Sequence, residues 1–239
     1  MKDSDTSTIG PAARHIVDRV LSAVAAHRLH PGTKLGEPDL GTIFGVSRVV
    51  VRQALNDLAM REVVTLARNK GASVASPSFA DAMELYEALI LIEQGIIGLL
   101  CAGNSPVAVD ELRKVAREQQ KAIHSRDDDY LNSLGSLFHE LLGKLGRNRV
   151  IEDLHGNLLE RTRILQMLYR RDFDEAHLCR EHVQLVDCIE QGDAEGARSL
   201  MKDHYWRILR SYRFDEVLTT GGDIFEALRE PDSMQARAG

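Results

Sequence analysis

The stretch GVSRVVVRQAL, residues Gly45–Leu55, decides the fold of the first part of this 239-residue chain. A short helix is predicted to end at Gly45, and Ser47 offers its hydroxyl as the N-cap of a new helix. Arg48 and Arg52 lie four residues apart and therefore share one face of that helix. Two arginines near a helix N-terminus suit contacts with phosphates and guanine edges, so the pattern predicts a DNA-recognition helix.

The segments around this stretch predict a winged helix-turn-helix with a small β-hairpin wing. Apolar residues at helical spacing indicate a first helix over 11–27, and a second short helix covers Glu37–Phe44. Two short strands follow, Val63–Leu66 and Ala72–Ala75, and the basic segment 67–71 between them forms the hairpin tip. In such domains the third helix enters the major groove and the wing lies alongside. We therefore expect DNA contacts from Ser47, Arg48, Arg52, Arg68, Lys70 and Gly71.

The same segment resembles the DNA-binding domain of GntR-family transcription regulators. The residues that carry the resemblance are Leu29–Leu35, Leu40, Phe44–Arg48, Val51–Leu55, Leu58, Asn69–Gly71 and Val74. Pro38 stands where the family often has Arg, and Val50 stands where it often has Pro. The change at Pro38 removes one expected DNA contact. A winged helix used only for protein contacts is the alternative interpretation.

The charge distribution places the nucleic-acid partner in the first third of the chain. The net charge is −6, and 28% of the residues are charged. Residues 1–77 contain ten Lys and Arg against seven Asp and Glu, a net of +3, whereas residues 78–239 contain twenty against twenty-nine, a net of −9. The basic balance therefore coincides with the predicted helix-turn-helix, and the acidic remainder repels DNA.

Composition also predicts the compartment. Three cysteines, Cys101, Cys179 and Cys188, match no zinc motif and suggest reduced thiols. The first ten residues are polar and lack an apolar signal core. The longest apolar run, Ala88–Leu100, is too short to span a membrane and is predicted to be a buried helix. We expect a cytoplasmic protein with no membrane partner.

The second part of the chain is predicted to be an all-α bundle. After the linker Ser76–Ser78 there is no convincing strand, and breaks containing Gly, Pro, Asn or Asp separate helical patterns. The predicted helices cover residues 79–102, 107–125, 128–145, 149–170, 175–191 and 193–209. The chain is therefore expected to be mostly α, with a DNA-binding domain at 1–77 and an effector-binding and dimerisation domain at 78–220. A mobile tail at 221–239 follows, apart from a short helix over 224–229.

Three histidines of the bundle are candidate metal ligands. His139, His182 and His204 lie on separate predicted helices, and each has apolar neighbours that face a core. Imidazoles from different helices of a bundle can converge on one ion. The spacing alone is weak evidence for a shared site, and three unrelated half-buried histidines are the alternative.

A second resemblance bears on these histidines. Leu85–Glu87, Glu93, Phe138–His139, Glu181–His182, Ile189–Arg198 and His204 together resemble the FCD effector domain of FadR-type GntR regulators. The resemblance implies that an Asp and three His hold a divalent ion beneath an effector cavity, and that His139, His182 and His204 are these histidines. The Asp position, one turn before His139, is occupied by Gly135. Asn132 lies about 10 Å from His139 along the helix, too far to replace the carboxylate.

Two outcomes follow for the predicted metal site. Three neutral imidazoles bind one zinc or nickel ion, with water or an effector oxygen at the open positions; alternatively, the histidines hydrogen-bond the effector directly. The resemblance also implies an Arg, one turn before Glu93, that pairs with an acidic effector, but Leu89 stands there. We expect Arg161 and Arg163, on the helix over 149–170, to bind the effector instead, with a solvated helix face as the alternative.

The sequence favours a regulator over an enzyme. The segment His139–Gly143 begins like a zincin helix, but Gly143 stands where the second His is required. Neither a glycine-rich phosphate loop nor a Gly-x-Ser-x-Gly elbow occurs. We predict a ligand-responsive transcription regulator, a repressor rather than an activator, that binds an inverted-repeat operator as a homodimer. The alternatives are a DNA-binding architectural or assembly protein without a ligand, and a metal-dependent enzyme with a histidine site.

Overall fold

The protein is described from a computed structural model that covers residues 9–68, 70–103, 106–123, 128–170, 174–214 and 223–229. The chain divides into two compact units. The first comprises residues 1–77, 167–169 and 214–239, and the second comprises residues 78–166 and 170–213. The predicted fold class, mostly α with an N-terminal winged helix-turn-helix and a helical bundle, is confirmed.

The N-terminal part of the first unit combines three helices with a small antiparallel sheet. In chain order its elements are α1 (Pro11–Ala25), β1 (Lys34–Leu35), α2 (Glu37–Phe44), α3 (Arg48–Met60), β2 (Val64–Ala67) and β3 (Gly71–Val74). The strand order is β1-β3-β2, so the hairpin of β2 and β3 gains a third strand. The sequence does not predict β1, because a two-residue strand is too short to show apolar–polar alternation. Lys34 pairs with Ser73, and Leu35 with Ala72.

Apolar packing orients the recognition helix α3. Val51, Leu55 and Leu58 are buried on its inner side, and they leave the opposite side of the helix exposed. Gly45 ends α2 in the left-handed conformation, with φ of +63°. Because that conformation strains residues with a Cβ, glycine suits the turn that separates α2 from α3.

A C-terminal helix belongs to the first unit. Helix α10 (Ile224–Ala227) begins at Asp223, whose carboxylate accepts a hydrogen bond of 2.9 Å from the Phe225 N–H. The short helix predicted over 224–229 within the C-terminal tail segment, 221–239, is therefore present, over Ile224–Ala227. The remainder of that segment, residues 221–222 and 230–239, lies outside the described residues.

The end of α10 is held by two arginines of the first unit. Arg19 donates to the Leu228 carbonyl at 2.6 Å, and Arg28 donates to the Ala227 carbonyl at 2.8 Å. Carbonyls in the last turn of a helix have no partner within the helix, so these guanidinium groups satisfy them. Leu228 is also buried, with 2% of its surface exposed.

We expect Leu228→Ala to loosen this part of the first unit. Loss of a buried leucine side chain typically costs about 2–5 kcal/mol, and such a short helix should give a value near the lower end. Hydrogen exchange measured by mass spectrometry should show faster exchange over 11–28 and 223–229. Phe225→Ala, at a side chain that is 45% exposed, is the matched control and should change exchange little. Equal protection in Leu228→Ala and the parent protein would contradict the packing role of Leu228.

The second unit is a helical bundle. In the part of the chain that the structure describes, its helices are α4 (Phe79–Gly103), α5 (Pro106–Ala122), α6 (Asp128–Leu145), α7 (Arg149–Tyr169), α8 (Glu175–Gln191) and α9 (Ala194–Arg210). The six predicted helices are thus confirmed, with small shifts at their ends. Helix α4 packs along α9, α5 packs against α6 and α8, and α8 packs against α9. The core includes the fully buried side chains of Tyr86, Leu112 and Phe138.

Helix α4 is only partly covered by its own bundle. By length and composition it is apolar enough to cross a membrane, and 44% of its most apolar 18-residue stretch is buried. Leu89, Ile96 and Ile97 face the core, whereas Leu91 and Leu99 are 72% and 54% exposed. The prediction of a buried helix therefore holds for one face of α4 and is wrong for the other.

Candidate functional site

The structure brings the three predicted histidines together. His139 lies on α6, His182 on α8 and His204 on α9, and all three side chains are buried. One ring nitrogen from each can be chosen so that the three atoms lie within 4.8 Å of one another. Packing of α6, α8 and α9 in one bundle thus converts three distant sequence positions into a single cluster, which we call the histidine cluster.

Hydrogen bonds fix the orientation of two of these rings. The Nδ1 atom of His182 lies 2.8 Å from Gln119 Oε1, and the Nδ1 atom of His204 lies 2.9 Å from Glu181 Oε2. Because an amide or carboxylate oxygen only accepts, each Nδ1 carries the proton and each Nε2 keeps its lone pair. The Nε2 atom of His182 is buried and has no hydrogen-bond partner in the structure. A lone pair held in this way is the form of imidazole that binds a metal ion.

The third ring is held by a buried carboxylate. Glu93, on α4, has none of its side chain exposed, and its Oε1 atom lies 3.1 Å from His139 Nδ1. The same oxygen lies 2.7 Å from His155 Nε2 and accepts a hydrogen bond of 2.7 Å from the Tyr205 hydroxyl. The other carboxylate oxygen, Oε2, is buried without a partner. Glu93 therefore holds the Nδ1–H of His139, as Glu181 does for His204.

Burial and neighbouring groups shift the pKa of two histidines of the cluster and of Glu93. Burial and the neighbouring histidines hold the pKa of His182 well below its ordinary value. Burial also lowers the pKa of His204, and the hydrogen bond to Glu181 only partly opposes this effect. For Glu93 burial acts to raise the pKa, but the two histidines that donate to it outweigh burial and lower its pKa to about 2. Neutral imidazoles beside a carboxylate anion suit a divalent cation.

The donor set fits zinc or nickel. Three imidazole nitrogens form the protein part of a common zinc site, in which further positions stay open to water or a ligand. Gly135 lines the cavity next to the histidine cluster and supplies no carboxylate. A Cβ atom placed at Gly135 would lie 3.5 Å from Gln119 Nε2, an ordinary contact distance. The space for the carboxylate expected from the family pattern is therefore not closed by steric overlap at Cβ.

A small cavity opens beside the histidine cluster. All three histidines line it, and its volume is about 60 Å³, which corresponds to about four to six water-sized groups. Its remaining polar wall includes Asn132, Ser136, Thr162, Arg163, Gln166 and Arg170. The cavity thus combines a floor of three imidazoles with neutral hydrogen-bonding groups and two guanidinium groups.

The predicted pair of effector-binding arginines requires a correction. Arg163 lines the cavity and forms ion pairs with Glu140 and Glu160. Arg161 is exposed and is not among the cavity-lining residues of the described chain. Two residues apart on a helix point about 200° apart, so Arg161 and Arg163 cannot share a face.

Arg170 lies on the cavity side instead, seven residues after Arg163. It donates to Asn132 Oδ1 at 2.6 Å and pairs with Glu175. Seven residues are close to two full turns of a helix, which returns the side chain to the same face. Helical spacing in the sequence contained the signal for this arginine.

Some site residues carry no clear signal in the sequence. His155 meets Glu93 in a space next to Gly143, and a Cβ atom at Gly143 would lie only 2.4 Å from His155 Nδ1. Glycine at 143 therefore makes room for the ring. Gln119 and Tyr205 also complete the site through contacts between distant helices.

The predicted recognition residues are exposed in the first unit. Ser47, Arg48 and Arg52 lie at the start of α3, and all three are exposed. Ser47 occupies the N-cap position, but its side chain makes no capping hydrogen bond, so the predicted cap is wrong in that detail. The Nε atom of Arg52 donates to both carboxylate oxygens of Glu37, at 2.9 and 3.0 Å.

The same face of α3 carries two residues that the sequence argument passed over. Val49 is 67% exposed and Gln53 is also exposed beside Arg52. Glutamine can form two hydrogen bonds with an adenine edge, and an exposed apolar residue can contact a thymine methyl group. Their positions next to Arg48 and Arg52 in the sequence were the signal that could have predicted their exposure.

The wing residues lie at the hairpin tip. Arg68, Lys70 and Gly71 are exposed, and Asn69 lies outside the described residues. The Lys70 N–H donates to the Ala67 carbonyl at 3.0 Å, and Gly71 has a φ of +78°. The glycine conformation closes the tight turn that presents the two basic side chains.

A winged helix-turn-helix with basic exposed residues, followed by a helical bundle with a polar cavity, defines the class of ligand-responsive transcription regulators. Residues 12–74 match the family described as bacterial regulatory proteins, gntR family, and residues 84–207 match the FCD domain. The chain therefore belongs to the GntR family of transcription regulators, in the group that carries an FCD domain. Such regulators bind DNA operators and bind small-molecule effectors through the FCD domain.

Individual relatives agree with this assignment. The HTH-type transcriptional regulator YdhC of Bacillus subtilis is 30% identical over 179 residues, which cover 73% of this chain and 79% of YdhC. The HTH-type transcriptional repressor RspR of Escherichia coli is 24% identical, with 82% of this chain and 86% of RspR covered. A solved GntR regulator from Rhodococcus sp. RHA1 has the same fold, with a TM-score of 0.59 and 24% identity over 84% of this chain and 99% of that one.

Proposed function

We propose that this GntR-family regulator is a cytoplasmic repressor, not an enzyme, which binds an inverted-repeat operator as a homodimer. A small polar metabolite in the FCD domain would act as its effector, and a divalent metal ion at the histidine cluster would help to bind it. The observation that supports the proposal is the convergence of three buried imidazole nitrogens within 4.8 Å at the wall of a polar cavity.

His139, His182 and His204 would hold zinc or nickel in this proposal. When bound, such an ion supplies a Lewis-acidic position for an effector oxygen. The hydrogen bonds that His204 and His182 donate to Glu181 and Gln119 keep two rings in the required tautomer. Rings that are already held by hydrogen bonds lose little further conformational freedom when they bind an ion.

The cavity favours a small effector that carries several hydrogen-bonding groups. Its volume of about 60 Å³ leaves room for few atoms without movement of the walls. Ser136, Thr162 and Gln166 offer neutral donors and acceptors. Arg163 and Arg170 already pair with acidic side chains, so an anionic effector would compete with these pairs rather than meet free guanidinium groups. A hydroxylated metabolite therefore suits the wall better than a plain carboxylate.

A second copy of the chain would add a second winged helix for DNA binding and would cover the exposed apolar face of α4. One winged helix makes too few base contacts for typical operator affinity, and two copies related by two-fold symmetry double them. Leu91 and Leu99 give α4 an exposed apolar face that a second copy can cover. Effector binding would then shift the bundle between arrangements with different operator affinity, which requires a coupling of about 1–3 kcal/mol. The repressor name of RspR supports repression as the direction of control.

We expect untagged protein, purified without added metal, to contain one equivalent of a divalent metal per chain. Elemental analysis measures the content, and chelation should lower the thermal midpoint because bound metal stabilises the folded state. Light scattering should give twice the chain mass of 26.6 kDa. Metal below a tenth of an equivalent, with no thermal shift on adding zinc or nickel, would reject the metal. A monomer that protects a single half-site in a footprint would reject the dimer.

A further inference from the structure

The histidine cluster raises a problem of charge balance. Three neutral imidazoles bring no negative charge to a divalent cation, and Gly135 supplies no carboxylate. A buried charge without a partner is costly, whereas a compensated one is tolerated. If the cluster holds a cation, negative charge close to the ligand histidines stabilises it.

Two buried carboxylates accept hydrogen bonds from the Nδ1 atoms of two of the three histidines. Glu93 contacts His139 at 3.1 Å, and Glu181 contacts His204 at 2.9 Å. We propose that Glu93 and Glu181 supply, one hydrogen bond further out, the negative charge that a ligand at position 135 would otherwise provide. They are positioning residues, since they act on a cation through the histidines. This inference rests on the proposed metal site and deepens it.

Of the two carboxylates, Glu93 has the negative charge that its neighbours compensate less. Its side chain is fully buried, and among the described residues two histidines and the Tyr205 hydroxyl donate to it, none of which carries a permanent charge. Its Oε2 atom is buried and has no hydrogen-bond partner. The protein thus leaves part of the charge of this carboxylate unsatisfied, which is the arrangement expected if a cation nearby completes the balance.

Glu181 is partly compensated by the protein itself. Its Oε1 atom accepts a hydrogen bond of 3.0 Å from the Arg207 guanidinium and lies 3.1 Å from His177 Nε2. The permanent positive charge of Arg207 reduces the net charge that Glu181 can offer through His204. Neutralising Glu181 should therefore weaken metal binding less than neutralising Glu93.

The third histidine provides an internal comparison. His182 has the amide oxygen of Gln119 behind it at 2.8 Å, where the other two histidines have carboxylates. Gln119 is buried, with 2% of its surface exposed. Gln119→Glu keeps the length of the side chain and the acceptor while adding a charge, so it is the reverse of Glu93→Gln.

The test measures zinc affinity by competition with a chromogenic chelator on the full chain. Removal of a charged partner behind a ligand histidine typically costs 10–100-fold in metal affinity. We expect Glu93→Gln to lose about 10–100-fold, Glu181→Gln to lose less, and Gln119→Glu to gain affinity. The double variant Glu93→Gln with Gln119→Glu should recover part of the loss. Glu118→Gln, at an exposed carboxylate on the same helix as Gln119, should leave affinity unchanged.

The outcomes separate this inference from the proposed metal site. If the parent protein binds no zinc, the metal site itself is wrong. If the parent binds zinc but Glu93→Gln and Gln119→Glu both leave its affinity unchanged, the charge-compensation role is wrong and the metal site stands. A merely structural role would weaken binding in both variants, so a gain in Gln119→Glu is the distinguishing result. Should Glu93→Gln fail to fold, Glu181→Gln and Gln119→Glu still decide the question.

Discussion

His182→Gln should reduce zinc or nickel affinity by at least about 100-fold, since it removes one of the three proposed protein ligands. The Nε2 atom of His182 is buried without a hydrogen-bond partner, whereas its Nδ1 atom is held by Gln119. The substitution therefore removes a nitrogen that has no other contact to satisfy. Chelator competition gives the affinity, and elemental analysis gives the stoichiometry.

The control for this prediction is His30→Gln, in the first unit and outside the histidine cluster. It should leave metal content unchanged. His182 also stacks on Phe138, with ring centroids 4.1 Å apart, so circular dichroism must show that the variant keeps its helices. A folded His182→Gln protein that retains a full equivalent of tightly bound metal would show that the ion binds elsewhere.

Gly135→Asp tests the same site in the opposite direction. The Cβ position at Gly135 has an ordinary contact at 3.5 Å, and the residue lines the cavity with the histidines. An added carboxylate would restore a charged oxygen ligand, so metal affinity should rise. An unchanged affinity in a folded variant would mean that the Asp cannot reach the position of the ion.

The second large effect is expected on operator binding, from substitutions in the predicted recognition helix α3. Arg48→Ala and Arg52→Ala should each weaken operator binding by about 1–3 kcal/mol, or about 5–150-fold, and should relax discrimination against scrambled DNA. Both side chains are exposed at the N-terminal end of α3. Because Glu37 already contacts the Nε atom of Arg52, a guanine contact by Arg52 must use its two amino groups. Gel shifts on operator and scrambled duplexes measure both quantities.

Arg61→Ala is the matched control for the recognition helix. Arg61 follows the C-terminal end of α3 and pairs with Asp57 at 2.8 Å. It lies about three and a half turns away from Arg48 along the helix axis. It should change operator binding little. The recognition assignment fails if Arg48→Ala and Arg52→Ala bind the operator as tightly as the parent protein.

Much of the first unit could be predicted because its signals are local. Gly45 and the apolar spacing of Val51, Leu55 and Leu58 belong to one turn and one helix. Two errors arose where a feature depends on more than the local sequence pattern. The capping bond of Ser47 depends on a side-chain rotamer, and β1 depends on pairing with a strand more than thirty residues later.

In the bundle, local periodicity determined which residues are helical. It also indicated that His139, His182 and His204 point inward. Helical spacing also contained the answer to the misassigned Arg161, because a two-residue step turns a side chain to the far side of the helix.

The sequence by itself thus determined the winged helix, the six helices of the bundle and the residues available as nitrogen ligands, because turn chemistry and helical periodicity act over a few residues. Only the tertiary structure decided what stands behind those ligands. Glu93 meets His139 across 46 positions of sequence, and Gln119 meets His182 across 63. Such contacts depend on how whole helices pack. Helical periodicity in the sequence does not indicate that the carboxylate of Glu93 meets one histidine and the amide of Gln119 meets another.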